Sequence, residues 1–521
     1  MKNVKTILIT LLSVNFLSRF IILIRPLKYI DGLLIPDDAY LAMTIAKNIS
    51  NGLGPLYGFD YTNGFQPLYV FLITPIYAFF PNDLVTPVHL SLFILAMFDT
   101  LALLFLFKLV KSSTRSIITP VIISLFWIFN PYVIENSLNG LETIISVFFI
   151  ILSLYYFKTK IESEMEEKPL AAKGIVLGII LGLAILARID NTILAFAVMI
   201  VFVGNGLKAH IPPRIIANSS VIIIVAAVLT VLPWLLYSYH YTGDIYQVSG
   251  NALRYMSLAN VDHLPTLANW YLPMIKVAVY TIIFNNKVII LLLALSTGVI
   301  VMFCRKLPLK EILIENRVTA IMLIYSTLIF CAYSLYIFGD WFFPRYLFPL
   351  ILPLLLILSQ LLNYCDSLIV EKRVRYMLII SLATLAITAN IYYPNLRLYY
   401  SNKDTTSRGY MNLGLWASER FEDGTRIASS QTGALAYFAD NLDVINIDGV
   451  VNKSCFEALK KKRNIEYIRE NRIEYVLGWD FNIKFIEKES ANYKPDDLTL
   501  EEKIEGFTSW KYRWYLYRVN Y

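Results

Sequence analysis

The chain has 521 residues, of which 57% are hydrophobic and only 16% are charged, against about 25% charged in a soluble globular domain. Apolar runs of roughly 18 or more residues recur along it, which excludes an ordinary soluble protein and predicts a polytopic helical membrane protein. The formal net charge of +7 is then no sign of nucleic acid, because surplus Lys and Arg in such a chain mark the loops that stay in the cytoplasm.

At the N-terminus, Lys2 and Lys5 precede an apolar run from Thr6 to Ile24 with no small-residue cleavage site after it, which reads as an uncleaved anchor. Eleven spans are predicted, near 6–24, 87–109, 117–134, 142–157, 172–188, 191–206, 215–237, 284–303, 318–338, 346–364 and 376–393. The apolar piece 67–80 stops at Pro81-Asn82-Asp83 and is too short for an easy crossing, so it reads as an interfacial or partly buried helix. Alternate loops are basic: Lys2/Lys5, Lys108/Lys111/Arg115, Lys158/Lys160/Lys168/Lys173, Lys208/Arg214, Arg305/Lys306/Lys310/Arg317 and Lys372/Arg373/Arg375. The positive-inside rule puts these in the cytoplasm, with the N-terminus. The outer set is 25–86, 135–141, 189–190, 238–283, 339–345 and 394–521.

The first outer loop, 25–86, is the most distinctive. Two adjacent carboxylates, Asp37 and Asp38, open a short amphipathic helix in which Leu41, Ile45 and Ile49 share a face. An acidic first turn suits the helix dipole, and Asp is also a favoured cap, so helix capping is the plain alternative to a catalytic role. Further polar clusters fall in other outer loops: Asn139-Gly140-Leu141-Glu142, Arg188-Ile189-Asp190-Asn191, Tyr237 to Asn251, and Gly339-Asp340-Trp341-Phe342-Phe343-Pro344-Arg345-Tyr346. Glu142 also reads as a helix cap, Arg188 with Asp190 as an ordinary turn ion pair, and Asp340 with Arg345 as anchors beside an aromatic belt. All of them on one face is the arrangement of a site at the mouth of a helix bundle, since charges near a bilayer must pair or face water.

Beyond residue 394 the apolar runs stop and an alternating pattern begins. Helices are predicted at 413–421, 455–462 and 465–471, and strands at 425–430, 474–479 and 512–519, with the segments 433–438 and 442–447 between the first strand and Asp448-Gly449. That makes a small α/β domain, 394–521, outside the membrane, after a transmembrane domain of 1–393. The cysteines Cys304, Cys331, Cys365 and Cys455 form no CxxC, and the four histidines are scattered, so neither a zinc site nor a histidine-rich metal site is predicted. No phosphate-binding glycine loop or Ser-His-Asp arrangement is present.

The residues Asp37 to Tyr40, Tyr61 to Leu68, Gly140 to Thr143, Gly339 to Pro349, Gly433 to Tyr437 and Ile447-Asp448-Gly449 occur in an order that resembles the GT-C superfamily of polytopic glycosyltransferases. The likeness is to mycobacterial terminal arabinofuranosyltransferases, protein O-mannosyltransferases and aminoarabinose transferases. Gln66 departs from the expected pattern, and the small C-terminal domain leaves the acceptor undefined. The resemblance implies an inverting hexosyl- or pentosyltransferase of the cytoplasmic membrane. Its donor would be a polyprenyl-phosphate sugar, and its acceptor a hydroxyl of a glycan, glycolipid or protein outside. It implies Asp37 or Asp38 as the base, with Asp37 preferred, and Arg345 and Arg188 on the donor phosphate. Tyr40, Tyr61, Asn63, Gln66, Glu142, Asp190, Asp340 and Trp341 would contact substrate. A divalent cation is compatible with the family but not required. A transporter or flippase for lipid-linked sugars, or a non-catalytic membrane scaffold, would also place charges at a bundle mouth. Transporters usually carry internal repeats, and none is seen.

Overall fold

The computed structural model describes residues 2–114, 116–162, 171–259, 266–304, 309–337, 339–368, 409–509 and 512–521, with 381, 384 and 388. Helix α1 (Lys2–Leu23) leads into a segment with α2 (Asp37–Ser50), the short strands β1 (Leu56–Tyr57) and β2 (Asp60–Tyr61), and α3 (Pro67–Phe79). Then follow α4 (Thr86–Ser113), α5 (Ile118–Phe129), α6 (Pro131–Ser137), α7 (Thr143–Tyr156), α8 (Ala171–Ala187), α9 (Thr192–Lys208) and α10 (Pro213–Thr242). The remaining helices of this part are α11 (Val248–Ala259), α12 (Leu272–Asn285), α13 (Lys287–Cys304), α14 (Arg317–Ala332) and α15 (Ile351–Leu368).

Among the described residues, eight helical stretches are long and apolar enough to cross a membrane, and the bent pair α5–α6 makes a ninth. All but Leu267–Asn285 coincide with expected spans. That stretch lies in the region expected as an outer loop, and it packs along residues 333–346. The expected spans 172–188 and 284–303 are apolar helices, but Ala171–Ala187 and Lys287–Met302 are shorter than the other crossings. The expected span 376–393 lies outside the described residues apart from three positions.

Local chemistry explains the irregular joints. Residue Asn130 precedes Pro131, has ψ 119°, and its side chain accepts from the Tyr132 amide. A residue before proline is pushed out of the helical region, so the chain bends by 64° there. Helices α8 and α10 approach closely because Gly174, Gly178 and Gly182 line one face of α8. A Cβ on Gly178 would lie 2.4 Å from the Ile223 carbonyl oxygen, and one on Gly182 would lie 2.6 Å from the Thr230 Cβ. Small residues four apart are the usual way that helices come together where no hydrophobic force separates lipid from protein.

The C-terminal part begins with α16 (Met411–Arg420) and continues through β3 (Arg426–Ser429), α17 (Gly433–Phe438), β4 (Asp443–Asn446), α18 (Lys453–Lys460), α19 (Asn464–Glu470) and β5 (Tyr475–Gly478). It closes with α20 (Asp480–Lys488), β6 (Leu498–Ser509) and β7 (Tyr512–Val519). The sheet order is β4-β3-β5-β7-β6. Strands β3, β4 and β5 are parallel, and β7 and β6 join antiparallel. Side chains alternate across the strands. Ala428, Ile445 and Val476 pack with Cys455, Leu459 and Ile468 on one face. Ile427, Val444 and Leu477, on the other face, belong to the core that runs on into the membrane part.

Candidate active site

The C-terminal domain is fastened to the segment between α1 and α4 by two buried carboxylates. Asp31 accepts from the Tyr40 hydroxyl at 2.9 Å and from the Met411 amide at 2.8 Å. Asp37 accepts from the amides of Gly433 and Ala434, both at 2.9 Å. So Asp37 does not cap its own helix, whose N-cap is Pro36; it caps α17 from across the domain boundary, as helix N-termini favour anions. Position 433 is glycine because a Cβ there would fall 1.9 Å from the Asp37 carbonyl oxygen. The Tyr57 hydroxyl adds a bond to the Thr432 carbonyl at 2.9 Å. Helix α2 is therefore covered by α3 and α17.

This junction titrates. Burial is the main cause that pushes Asp37 up to about 7 and Asp31 up to about 6, against the amide bonds that favour their anions. An unfolded Asp has a pKa of about 3.9. An acid with a raised folded pKa stabilises the fold fully below its unfolded pKa, and that contribution is lost as pH rises through the folded value. The melting temperature of the parent should therefore fall between pH 5 and pH 8 more steeply than that of Asp37→Asn. Parallel curves for the two proteins would show that Asp37 ionises as in water.

Asp38 points elsewhere. Its Oδ2 lies 3.2 Å from Arg345 Nη1, and the two side chains retain 30% and 16% exposure. The Arg345 guanidinium sits over Phe342 at 4.8 Å and Tyr346 at 5.1 Å. Its buried Nε has no hydrogen-bond partner among the described residues. The Tyr346 ring also has the Arg188 guanidinium at 4.9 Å and stacks on Tyr333 at 4.6 Å. Two arginines from separate loops thus share one aromatic ring. They are not equivalent. Arg188 is held by Glu142 at 2.9 Å, by a fork on Asp190 at 2.8–3.2 Å, and by the Tyr333 hydroxyl. Tyr333 also donates to Asp190. Glu142, the N-cap residue of α7, makes no cap bond of its own. The loop before it stands against α2, since a Cβ on Gly140, whose φ is +69°, would meet the Ala39 Cβ at 2.9 Å.

The structure thus brings Asp38, Arg345, Arg188, Glu142 and Asp190 into one connected group. Gln66 joins its edge by accepting from the Ile189 amide at 3.3 Å. Tyr61 is exposed beside Tyr241, with ring centroids 5.0 Å apart. The other expected contacts lie apart from the group. Tyr40 is fully buried against Tyr437 and Phe438. Asn63 is buried as a staple, donating to Ser238 Oγ and the Tyr246 carbonyl and accepting from the Val248 amide. Asp340 sits half-buried in a one-turn helix, its pKa raised by burial, and the exposed Trp341 rests on Phe342. Among the described residues no group of three or more His, Cys, Asp or Glu is placed to hold a metal ion.

Residues 389–517 match the family described as "Domain of unknown function (DUF8728)". No curated protein is similar in sequence to the chain. Among solved structures, apo ArnT from Cupriavidus metallidurans aligns with TM-score 0.58 at 10% identity, over 98% of this chain and 97% of that one. The same protein bound to undecaprenyl phosphate aligns at 0.56 and 11%, with the same coverage. The apo oligosaccharyltransferase of Archaeoglobus fulgidus aligns with TM-score 0.54 at 13% identity, over 91% of this chain and 69% of that one. The chain accordingly has the GT-C fold, a bundle of apolar membrane helices that carries a small C-terminal sheet domain.

Proposed function

We propose that this protein is a membrane glycosyltransferase. It moves a sugar from a polyprenyl-phosphate donor to a hydroxyl of a glycan, glycolipid or protein at the outer face of the cytoplasmic membrane. The observation that carries this reading is the pairing of Asp38, still partly exposed, with Arg345, whose buried Nε has no hydrogen-bond partner among the described residues. Similar folds solved with undecaprenyl phosphate and with dolichol-phosphate support a lipid-phosphate donor. The alternation of basic loops supports a cytoplasmic N-terminus and an outer C-terminal domain.

The chemistry follows from the two side chains. A donor phosphate entering the mouth competes with Asp38 for Arg345, whose planar fork suits two phosphate oxygens. Asp38 is then released toward the acceptor. The acceptor oxygen attacks the anomeric carbon while the bond from that carbon to the phosphate oxygen breaks. The electron pair leaves on the polyprenyl phosphate beside Arg345, and the acceptor proton passes to Asp38. Attack from the face opposite the phosphate inverts the anomeric centre. Arg188, saturated by Glu142, Asp190 and Tyr333, has little left for a phosphate and instead fixes the Tyr346 wall on which Arg345 lies.

Arg345→Lys tests the phosphate contact, because a point charge replaces a fork. Donor turnover by the reconstituted protein should fall roughly 10- to 100-fold, about one charge-assisted hydrogen bond. Parental donor use in the Lys variant would leave Arg345 as an interfacial anchor.

A further inference from the structure

The sheet topology of the C-terminal domain creates a crevice of its own. From β3 the chain goes to β4 on one side and later to β5 on the other. In open α/β sheets ligands bind where the loops diverge at the carboxyl ends of such strands. Here those ends are Ser429 to Thr432, Asn446 to Gly449, and Gly478-Trp479. This edge faces the membrane part. Thr432 takes the Tyr57 hydroxyl, Gly433 and Ala434 meet Asp37, and the Val450 carbonyl oxygen would lie 2.3 Å from a Cβ on Gly64. The crevice therefore opens onto the segment between α1 and α4 and is roofed by the domain.

One ionisable residue hangs from that roof. Asp448 follows β4, accepts from the Val450 amide at 2.9 Å, and is half-buried. The Asn446 side chain also donates to it, and the Asp38 carboxylate lies within electrostatic range. Tyr57 lies within electrostatic range of Asp37, Asp38 and Asp448 together. Asp37 is consumed by the domain junction, which leaves Asp38 on the segment between α1 and α4 and Asp448 on the C-terminal domain as the carboxylates near this boundary. A carboxylate has about four acceptor sites on its two oxygens, more than two amide donors fill, so hydroxyl donors can still meet it.

We infer that Asp448 is a positioning residue for the acceptor, taking hydrogen bonds from hydroxyls of a polyol such as a sugar and turning one of them toward Asp38. This rests on the transferase reading above and gives the C-terminal domain its part in it: donor below, acceptor above. Asp448 acts on acceptor alone, so it should separate two reactions that Asp38 and Arg345 would lose together.

The test compares Asp448→Asn and Asp448→Ser with the parent, both of which keep an oxygen for the Val450 amide. A radiolabelled polyprenyl-phosphate sugar serves as donor. The envelope fraction of a strain lacking this protein, which accumulates unmodified acceptor, serves as acceptor. Release of free sugar to water without envelope should stay within twofold of the parent. Transfer into the envelope should fall at least tenfold, through a higher KM for envelope, and Asp448→Glu should recover part of it. Loss of hydrolysis and transfer in equal measure, or no change in either, would overturn the assignment. A parent protein that neither hydrolyses nor transfers the donor would overturn the transferase reading and this inference with it.

Discussion

Asp99→Ala should destabilise the folded protein by about 3–5 kcal/mol, the usual result of stranding one partner of a buried ion pair. Asp99 on α4 lies 3.0 Å from Arg19 Nε on α1, and both side chains have no exposure. Further hydrogen bonds surround the pair. Asn15 donates to Asp99 at 2.8 Å, Trp127 Nε1 donates to it at 2.8 Å, and Arg19 Nη1 reaches the Ile128 carbonyl at 2.6 Å. Three spans are thereby held at one depth, next to the α5–α6 bend. An unpaired guanidinium there has no water to turn to. Removing both charges is a different perturbation, since a buried pair replaced whole by apolar side chains is often neutral or stabilising. Thermal denaturation of the detergent-solubilised protein should thus show a large drop for Asp99→Ala and a small change for Arg19→Met with Asp99→Leu. Equal melting temperatures for the parent and Asp99→Ala would mean that Arg19 finds another partner.

That group illustrates what was and was not legible in the chain. Arg19 and Asp99 each stand inside a long apolar run. Nothing local announces that residues 80 apart will pair, because the pairing depends on how the helices pack. The same holds for Gly174, Gly178 and Gly182, whose spacing is visible but whose partner helix is not. In the C-terminal domain, strands β3, β5 and β7 fall within a residue or two of expectation, and β4 falls on the segment 442–447, because their alternate residues enter two different cores. Strand β6 is not among the expected strands. It carries Glu501, Glu502, Lys503 and Glu505, which suit an edge strand whose free side must resist pairing but blur the strand pattern. The clusters at Glu142, Arg188-Asp190 and Arg345 were visible as charges where charges are costly. Their contacts were not, because only the fold shows that Arg188 is held by Glu142, Asp190 and Tyr333 while Arg345 Nε has no hydrogen-bond partner among the described residues.

The division between Asp37 and Asp38 is the sharpest case, and it sets the largest functional effect. Successive residues on a helix are turned by roughly 100°, so two adjacent acids face different surroundings. The sequence favours Asp37 by its nearness to the first span, but it cannot show which face the C-terminal domain covers. In the structure Asp37 is 5% exposed, with both oxygens on amides of α17. Asp38 is 30% exposed at its side chain and turned to Arg345. A base must reach the acceptor proton, and geometry decides before basicity does. Asp38→Asn should fold like the parent and lose turnover by roughly 10²–10⁴, the usual worth of a positioned base. Asp37→Asn should leave turnover per folded molecule much closer to the parent and act on the junction instead. The two amides bond to different oxygens of Asp37, and in Asn one of those is an NH2 that faces an amide donor, so the C-terminal domain should become more sensitive to protease. Measuring turnover beside limited proteolysis in both variants separates these effects. A large loss of turnover in Asp37→Asn with an intact junction, together with an active Asp38→Asn, would transfer the base to Asp37 and undo the mechanism drawn from Asp38 and Arg345.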